Sequence, residues 1–229
     1  MNKNVIENFK NNKYVVVNKV VSKETIDFIY NYFLLKREVV GNFFETKYIS
    51  PFTKDWGSWE DPQVPNTYSH YADIAMETLL VKLMPDVEKI TNLKLNPNYS
   101  YARIYKKGDV LHRHKDRFSC EISTTLNLGG DPWPIYIDPT GSDNIVDYDR
   151  KIIKQDAPKG LKVDLNPGDM LIYRGMELEH WREPFTGENC AQVFLHYNNL
   201  QTPGANENIY DRRPGVGFPD YFKKNKEII

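Results

Sequence analysis

His114 and Asp116 stand two positions apart in the run His112-Arg113-His114-Lys115-Asp116. On an extended backbone, residues two apart project to the same side, so one imidazole and one carboxylate can reach a single metal ion. A third donor, His180, follows 64 positions after Asp116, in a stretch from Glu177 to Arg182 that reads as a strand. Two imidazoles and a carboxylate on one face of an octahedron leave three positions open. That set suits non-haem Fe(II) oxygen chemistry, because nitrogen and oxygen donors hold the ion while a co-substrate and O2 take the open positions. Spacing alone also leaves open a shifted pair, His112 with His114, which the presence of Asp116 disfavours. His70, on a predicted helix, and His196, on the last predicted strand, read as structural hydrogen-bonding residues.

The elements that must carry these donors fall into two halves. Ser22 is placed to cap a helix in which Ile26, Ile29, Tyr30 and Phe33 recur at helical spacing, with Glu24 in its first turn. From Val39 to Pro65 the pattern breaks into Gly41, Pro51, Trp56, Gly57, Trp59 and Pro62, a long irregular segment of the kind that can close over a site. A second helix carries Ala72, Ala75, Met76, Leu79 and Leu83 on one face, and Pro85 opens a further short turn with Val87 and Ile90. From Asn96 onward the chain reads as strands: Tyr99 to Tyr105, Cys120 to Leu128, Trp133 to Ile137, Leu161 to Leu165, Met170 to Arg174, Glu177 to Arg182 and Ala191 to Tyr197. Helices followed by about seven short strands predict an α+β chain with a sandwich or barrel core.

The residues Tyr105-Lys106-Lys107-Gly108, then His114-x-Asp116, then Pro167-Gly168-Asp169-Met170-Leu171-Ile172-Tyr173 ahead of His180, resemble the 2-oxoglutarate- and Fe(II)-dependent dioxygenases of the prolyl 4-hydroxylase type. The resemblance covers roughly Asn96 to Asn198. It implies a double-stranded β-helix, or jelly roll, with N-terminal helices packed on one sheet, the metal near the barrel mouth and 2-oxoglutarate lying deeper. It implies Fe(II), 2-oxoglutarate and O2, with ascorbate as a reductant, and hydroxylation of a C–H bond with release of succinate and CO2. The family's usual substrate is a peptidyl or free prolyl residue, so a peptide or small molecule is expected. Related halogenases lack the carboxylate, which Asp116 supplies here.

One family feature is absent. The buried carboxylate of 2-oxoglutarate needs a cation, usually an Arg or Lys nine or ten positions after the distal histidine, and here those positions hold Asn189 and Cys190. Arg182 is the replacement expected from parity, since it lies two residues beyond His180 and its planar fork suits a carboxylate. The competing expectation is a surface pair of Arg182 with Glu183, Glu179 or Asp169, and Arg103 is the fallback anchor. Tyr105, nine positions before His114, is expected to help bind the same carboxylate. Thr125 is a further candidate, on a strand where Ser123, Thr125 and Asn127 form a polar face that either meets a ligand or meets solvent. Trp56, Trp59, Trp133 and Trp181 either frame the mouth or pack.

Length and composition bound the remainder. A chain of 229 residues with 40% hydrophobic and 27% charged residues is expected to be one domain, with 1–95 a helical support and loop region, 96–200 the catalytic jelly roll and 201–229 a surface tail ending in Lys223, Lys224 and Lys226. Met1 to Lys10 lacks the apolar core of a secretory signal, and two cysteines, Cys120 and Cys190, are too few for a disulfide framework, so a cytoplasmic protein is expected. No apolar run is long enough for a membrane span. A net charge of −1 with scattered basic residues argues against a general nucleic-acid binder. A jelly-roll binding module without turnover is the alternative from another class.

Overall fold

A computed structural model describes residues 3–50, 52–147 and 151–223. Met1, Pro51, Lys224 and Lys226 lie outside the described residues. The chain opens with helix α1 (Lys3–Asn12), absent from the sequence reading, which buries Phe9. Strand β1 (Tyr14–Val17) follows. Helix α2 (Lys23–Glu45) begins as expected at Ser22, whose hydroxyl accepts from the Thr25 amide at 3.4 Å.

Helix α2 runs through the stretch expected to be irregular from Val39. Its apolar spacing persists, with Phe33 and Val40 fully buried and Phe44 packed on the same core, so burial of that stripe outweighs the cost of Gly41. Strand β2 (Tyr68–Tyr71) carries His70, which the sequence placed on a helix. Its aromatic residues instead complete the edge of a sheet, and helix α3 (Ile74–Thr91) starts only after Asp73, whose carboxylate accepts from the Met76 amide at 3.1 Å. Pro85 lies inside α3 rather than opening a new turn. The carbonyl it leaves unpaired belongs to Val81 on the exposed face, where water can replace the lost bond.

The strands are β3 (Leu95–Lys106), β4 (Leu111–His114), β5 (Ile122–Gly130), β6 (Ile135–Ile137), β7 (Ile145–Asp147), β8 (Ile152–Ile153), β9 (Leu161–Val163), β10 (Met170–Arg174), β11 (His180–Arg182) and β12 (Asn189–Asn199). Among the described residues they form a six-stranded sheet in the order β1-β10-β5-β12-β3-β2 and a four-stranded sheet in the order β4-β11-β6-β9, every pair antiparallel. The expected strand from Glu177 shortens to three residues because a turn from Arg174 to Leu178 occupies its first half. Phe118–Cys120 is a short 3-10 turn rather than the start of β5.

Alternation on β12 shows how the layers stack. Ala191, Val193, Leu195 and Tyr197 pack with α2 and α3 on the outer face of the larger sheet, while Cys190 and Phe194 point to the smaller sheet. Leu171 and Tyr173 of the larger sheet meet Ile135, Ile137 and Val163 of the smaller one. The result is an α+β jelly roll with its N-terminal helices on one sheet. The C-terminal segment is more than a surface wrap: Arg213 is fully buried, donating to Glu77 Oε2 at 3.1 Å and to the Asn98 carbonyl at 2.8 Å. No helix of the described residues is long and apolar enough to cross a membrane.

Phe33, with no exposed surface, joins α2 to the sheet and stacks on Tyr68. Phe33→Ala is expected to cost about 3–5 kcal/mol, read as a lower urea midpoint with an unchanged slope.

Candidate metal centre

Strands β4 and β11 pair so that His180 lies directly opposite His114. Their rings face each other with centroids 4.3 Å apart. Asp116 follows the end of β4, held by its own amide, which donates to the Gly175 carbonyl at 2.9 Å. Its Oδ1 lies 3.6 Å from His114 Nε2 and 3.5 Å from His180 Nε2. The three donor atoms are within 4.8 Å of one another, close enough to share one ion. His112 is exposed and takes no part; its carbonyl accepts from His114 Nδ1 at 2.7 Å.

That contact and its counterpart define the imidazoles. His180 Nδ1 lies 3.1 Å from the Leu178 carbonyl, again two residues back. A carbonyl only accepts, so Nδ1 carries a proton in both rings and Nε2, which faces Asp116 Oδ1, is the nitrogen left to bind a metal once it gives up any proton. Burial alone would lower the His180 pKa, but the Asp116 carboxylate outweighs it and raises it above 6.5. Burial works the other way on Asp116 and is likewise outweighed, His180 and His114 holding it well below the usual carboxylate range. The cluster therefore keeps an ionised carboxylate between two imidazoles, the donor chemistry of an Fe(II) site.

These residues border a cavity of about 510 Å³ whose inner wall includes Thr125, Ile135, Tyr173 and Phe194. Thr125 is fully buried, on the polar face of β5 that turns into the barrel rather than to solvent, and its hydroxyl has no partner. Burial, with Asp116 nearby, holds the Tyr173 phenol protonated. Arg182 is set behind this wall, 1% exposed, with its guanidinium 5.0 Å from the Trp133 ring centre. One nitrogen, Nη1, donates to the Trp133 carbonyl, while Nε and Nη2 have no partner. The surface pairs weighed against a buried role are all taken elsewhere: Glu179 receives Arg113, Glu183 receives the Trp181 indole and Asp169 caps Lys19 and Asn166. Burial lowers the pKa of Arg182, yet a guanidinium keeps its proton at neutral pH. A buried cation without an anion costs several kcal/mol, and no carboxylate among the described residues pairs with this one.

Arg103 differs. It is paired with Asp61, donates to Gln63 Oε1 at 3.0 Å and to the Tyr105 hydroxyl at 3.1 Å. Tyr105 is fully buried against Trp133 and is not part of the cavity wall. None of the four tryptophans lines the cavity; Trp59, Trp133 and Trp181 pack, while Trp56 is half-exposed beside a neighbouring hollow.

Several site residues escaped the sequence reading. Gly175 is one, since a Cβ there would overlap Asp116 Oδ2 and approach Ser123 Oγ to 2.7 Å. Gln63 is another, its amide 3.3 Å from His114 Nε2. Ser123 donates to Asp116 Oδ2 at 2.7 Å, and His196 lies beside it, its pKa pushed down to about 4 by burial.

No protein-family model matches this sequence, and no curated protein matches it either. Solved structures do. HygX from Streptomyces hygroscopicus, with nickel and 2-oxoglutarate bound, superposes with a TM-score of 0.61 at 14% identity over 88% of each chain. The chain shares its fold. A Pseudomonas putida prolyl-4-hydroxylase gives 0.56 at 13% identity, covering 86% of this chain and 97% of the other. The carbocyclase SnoK from nogalamycin biosynthesis, α-ketoglutarate dependent, gives 0.59 at 11% over 86% and 83%.

Removing either end of the cluster is expected to remove metal binding: His180→Ala and Asp116→Ala should each weaken Co2+ binding by more than about 100-fold in calorimetry. Protons compete with metal for imidazole nitrogen. Because the His180 pKa is raised above 6.5, affinity in the unaltered protein should begin to fall above that pH as acid is added.

Proposed function

We propose that this chain is a 2-oxoglutarate- and Fe(II)-dependent oxygenase that hydroxylates a C–H bond. The observation that carries the reading is Arg182, a buried guanidinium with two unsatisfied nitrogens, on the same strand as His180. Its position supports a ligand that carries a carboxylate on one end and reaches the metal cluster with the other. A bare binding module has no need of both features.

In this reading His114, Asp116 and His180 hold Fe(II), the imidazole Nε2 atoms already aimed by the two backbone carbonyls. Arg182, with the unpartnered Thr125 hydroxyl and the protonated Tyr173 phenol, binds the far carboxylate of 2-oxoglutarate. Tyr105, which packs on Trp133 beside Arg182 and accepts from Arg103, would add its phenol to the same carboxylate or line the pocket there. The bound pair supplies the oxidising chemistry: 2-oxoglutarate and O2 give succinate and CO2 as one oxygen atom enters the substrate, with ascorbate as an auxiliary reductant. Ile135, Leu111 and Phe194 add apolar surface to the wall between these polar groups, which would limit water near the reacting centre.

The mouth suggests the substrate class. Arg103, Arg117 and Lys115 are each matched by a carboxylate, Asp61, Asp211 and Asp143, so they offer poor purchase to a phosphate backbone. Tyr71, Tyr99 and Tyr101 form a wall shared by the metal cavity and a second hollow that reaches the C-terminal segment. A tyrosine-lined wall that continues from the metal cavity into a second hollow supports an extended ligand, such as a prolyl residue within a peptide. A compact polar molecule is the second reading, favoured by HygX, which was also solved with hygromycin B bound. The buried free thiols Cys120 and Cys190 support a reducing, cytoplasmic setting.

Anaerobic addition of Fe(II) and 2-oxoglutarate should give a visible charge-transfer band. Arg182→Ala should retain metal but lose about 2–5 kcal/mol of 2-oxoglutarate affinity, while Arg103→Ala changes it little. A reversed pattern would exclude Arg182, and no band in the unaltered protein would sink the reading. Screening peptides and amino acids for succinate formation then decides the substrate.

A further inference from the structure

The two oxygens of Asp116 have different partners. Oδ1 faces Nε2 of both histidines, and Oδ2 accepts from Ser123 Oγ at 2.7 Å. Ser123 Oγ also lies 3.0 Å from the Cys120 carbonyl and 3.1 Å from His196 Nδ1. A hydroxyl has one proton to give, and the charged, nearer carboxylate takes it in preference to the neutral carbonyl. With that proton committed, Ser123 Oγ receives the N–H of His196, so the chain runs from His196 through Ser123 to Asp116.

The fold sets this chain in place. Ser123 on β5 and His196 on β12 are register partners, with 0% and 6% exposure. Tyr99 packs its ring against the imidazole, centroids 4.6 Å apart. Gly175 supplies the space that Oδ2 occupies, since any Cβ there would displace it. Four separate elements thus converge on one oxygen of one carboxylate.

We infer that Ser123 and His196 are positioning residues that reserve Oδ2 of Asp116, so that Asp116 offers the metal Oδ1 alone and a coordination position stays open for co-substrate. The inference rests on the functional reading above. A carboxylate free of such a partner can turn and offer both oxygens, which closes a position that 2-oxoglutarate or O2 requires. Cys120 Sγ lies near the same corner, within ligand reach of Asp116 and His196. The thiol is itself engaged, 3.0 Å from the Tyr99 hydroxyl, and Oδ2 and Nδ1 are both engaged by Ser123, which favours orientation over a second metal at that corner.

The test compares Ser123→Ala, His196→Leu and His196→Asn with the unaltered protein, each checked for folding by melting without metal. Two quantities are read anaerobically: Co2+ affinity by calorimetry, and the visible band of the Fe(II)–2-oxoglutarate complex. Ser123→Ala and His196→Leu, by freeing Oδ2 to reach the metal, should bind Co2+ no more weakly than the unaltered protein, but give a weakened or shifted band whose 2-oxoglutarate half-saturation rises about 10- to 100-fold. His196→Asn, whose amide N–H stands near the place of Nδ1, should recover most of the loss. A folded Ser123→Ala that matches the unaltered protein in both readouts overturns the inference and leaves the functional reading intact. A thiolate-to-cobalt band in the unaltered protein also overturns it, by showing Cys120 as a ligand. No Fe(II)–2-oxoglutarate band in the unaltered protein removes the functional reading first, and the inference with it.

Discussion

The pairing of β4 with β11 is the contact on which the centre depends, because it alone sets His114 opposite His180. Strands of four and three residues form few ladder bonds, so something else must hold them. By alternation, the neighbours Arg113 and Glu179 point to the opposite face of the sheet from the histidines. There Arg113 spends every nitrogen: Nε on Glu179 and Nη2 on Asp138, each at 2.6 Å, and Nη1 on the Pro158 carbonyl at 2.7 Å. Asn144 bridges the same two carboxylates, and Trp181 covers the guanidinium at 4.2 Å. Thus β4 carries His114 inside and its clamp residue Arg113 outside, Glu179 answers from the position just ahead of β11, and a register slip of one position would exchange the two faces.

The arginines of this chain explain each other. Arg113, Arg103 and Arg213 are shielded from solvent and each meets a carboxylate. Breaking such a pair costs several kcal/mol, because the remaining charge stays buried. Arg182 bears that same burial with a single carbonyl as partner. In the function proposed above, a fold that gives Arg113, Arg103 and Arg213 a carboxylate each and leaves Arg182 without one has a place there for the carboxylate of the co-substrate. Desolvation, which normally opposes buried charge, is then offset only when that anion binds, and this couples affinity to the carboxylate.

What was legible in the sequence had short range or fixed parity. The His-x-Asp spacing, the parity that placed Arg182 beside His180 and the cap at Ser22 all follow from backbone geometry over a few residues. The polar face of β5 was visible as alternation, but whether it met solvent or the barrel depended on a second sheet. Gly175 was invisible because its meaning is a clash with Asp116, 59 positions away, while His196 was read as a structural hydrogen-bonding residue but without its partner, Ser123, 73 positions off. Helix α1 failed the reading for another reason: with a mostly polar sequence, it is held by tertiary packing of residues such as Phe9 rather than by propensity. Tyr105 matched the family spacing, yet spacing fixes the backbone position and not which of several inner layers the ring joins.

The segment after α2 bears on how the site selects its substrate. A closing lid needs one end free to move, and here the segment is fastened at both ends of its cavity face. Ser58 and Ser69 exchange backbone bonds at 2.9 Å, and Gly57, at φ +96°, sits where any side chain would strike Tyr68. Asp61 is bound by Arg103 and by the Tyr101 hydroxyl, and although burial would raise its pKa, Arg103 and Tyr101 hold it below the usual value, so the pair stays ionised at neutral pH. Gln63 then reaches the edge of the histidine cluster as part of a fixed wall. In the function proposed above, discrimination would come from the shape and hydrogen bonding of that wall rather than from closure, with Asp61, Gln63 and the row of tyrosines as the residues a substrate would meet.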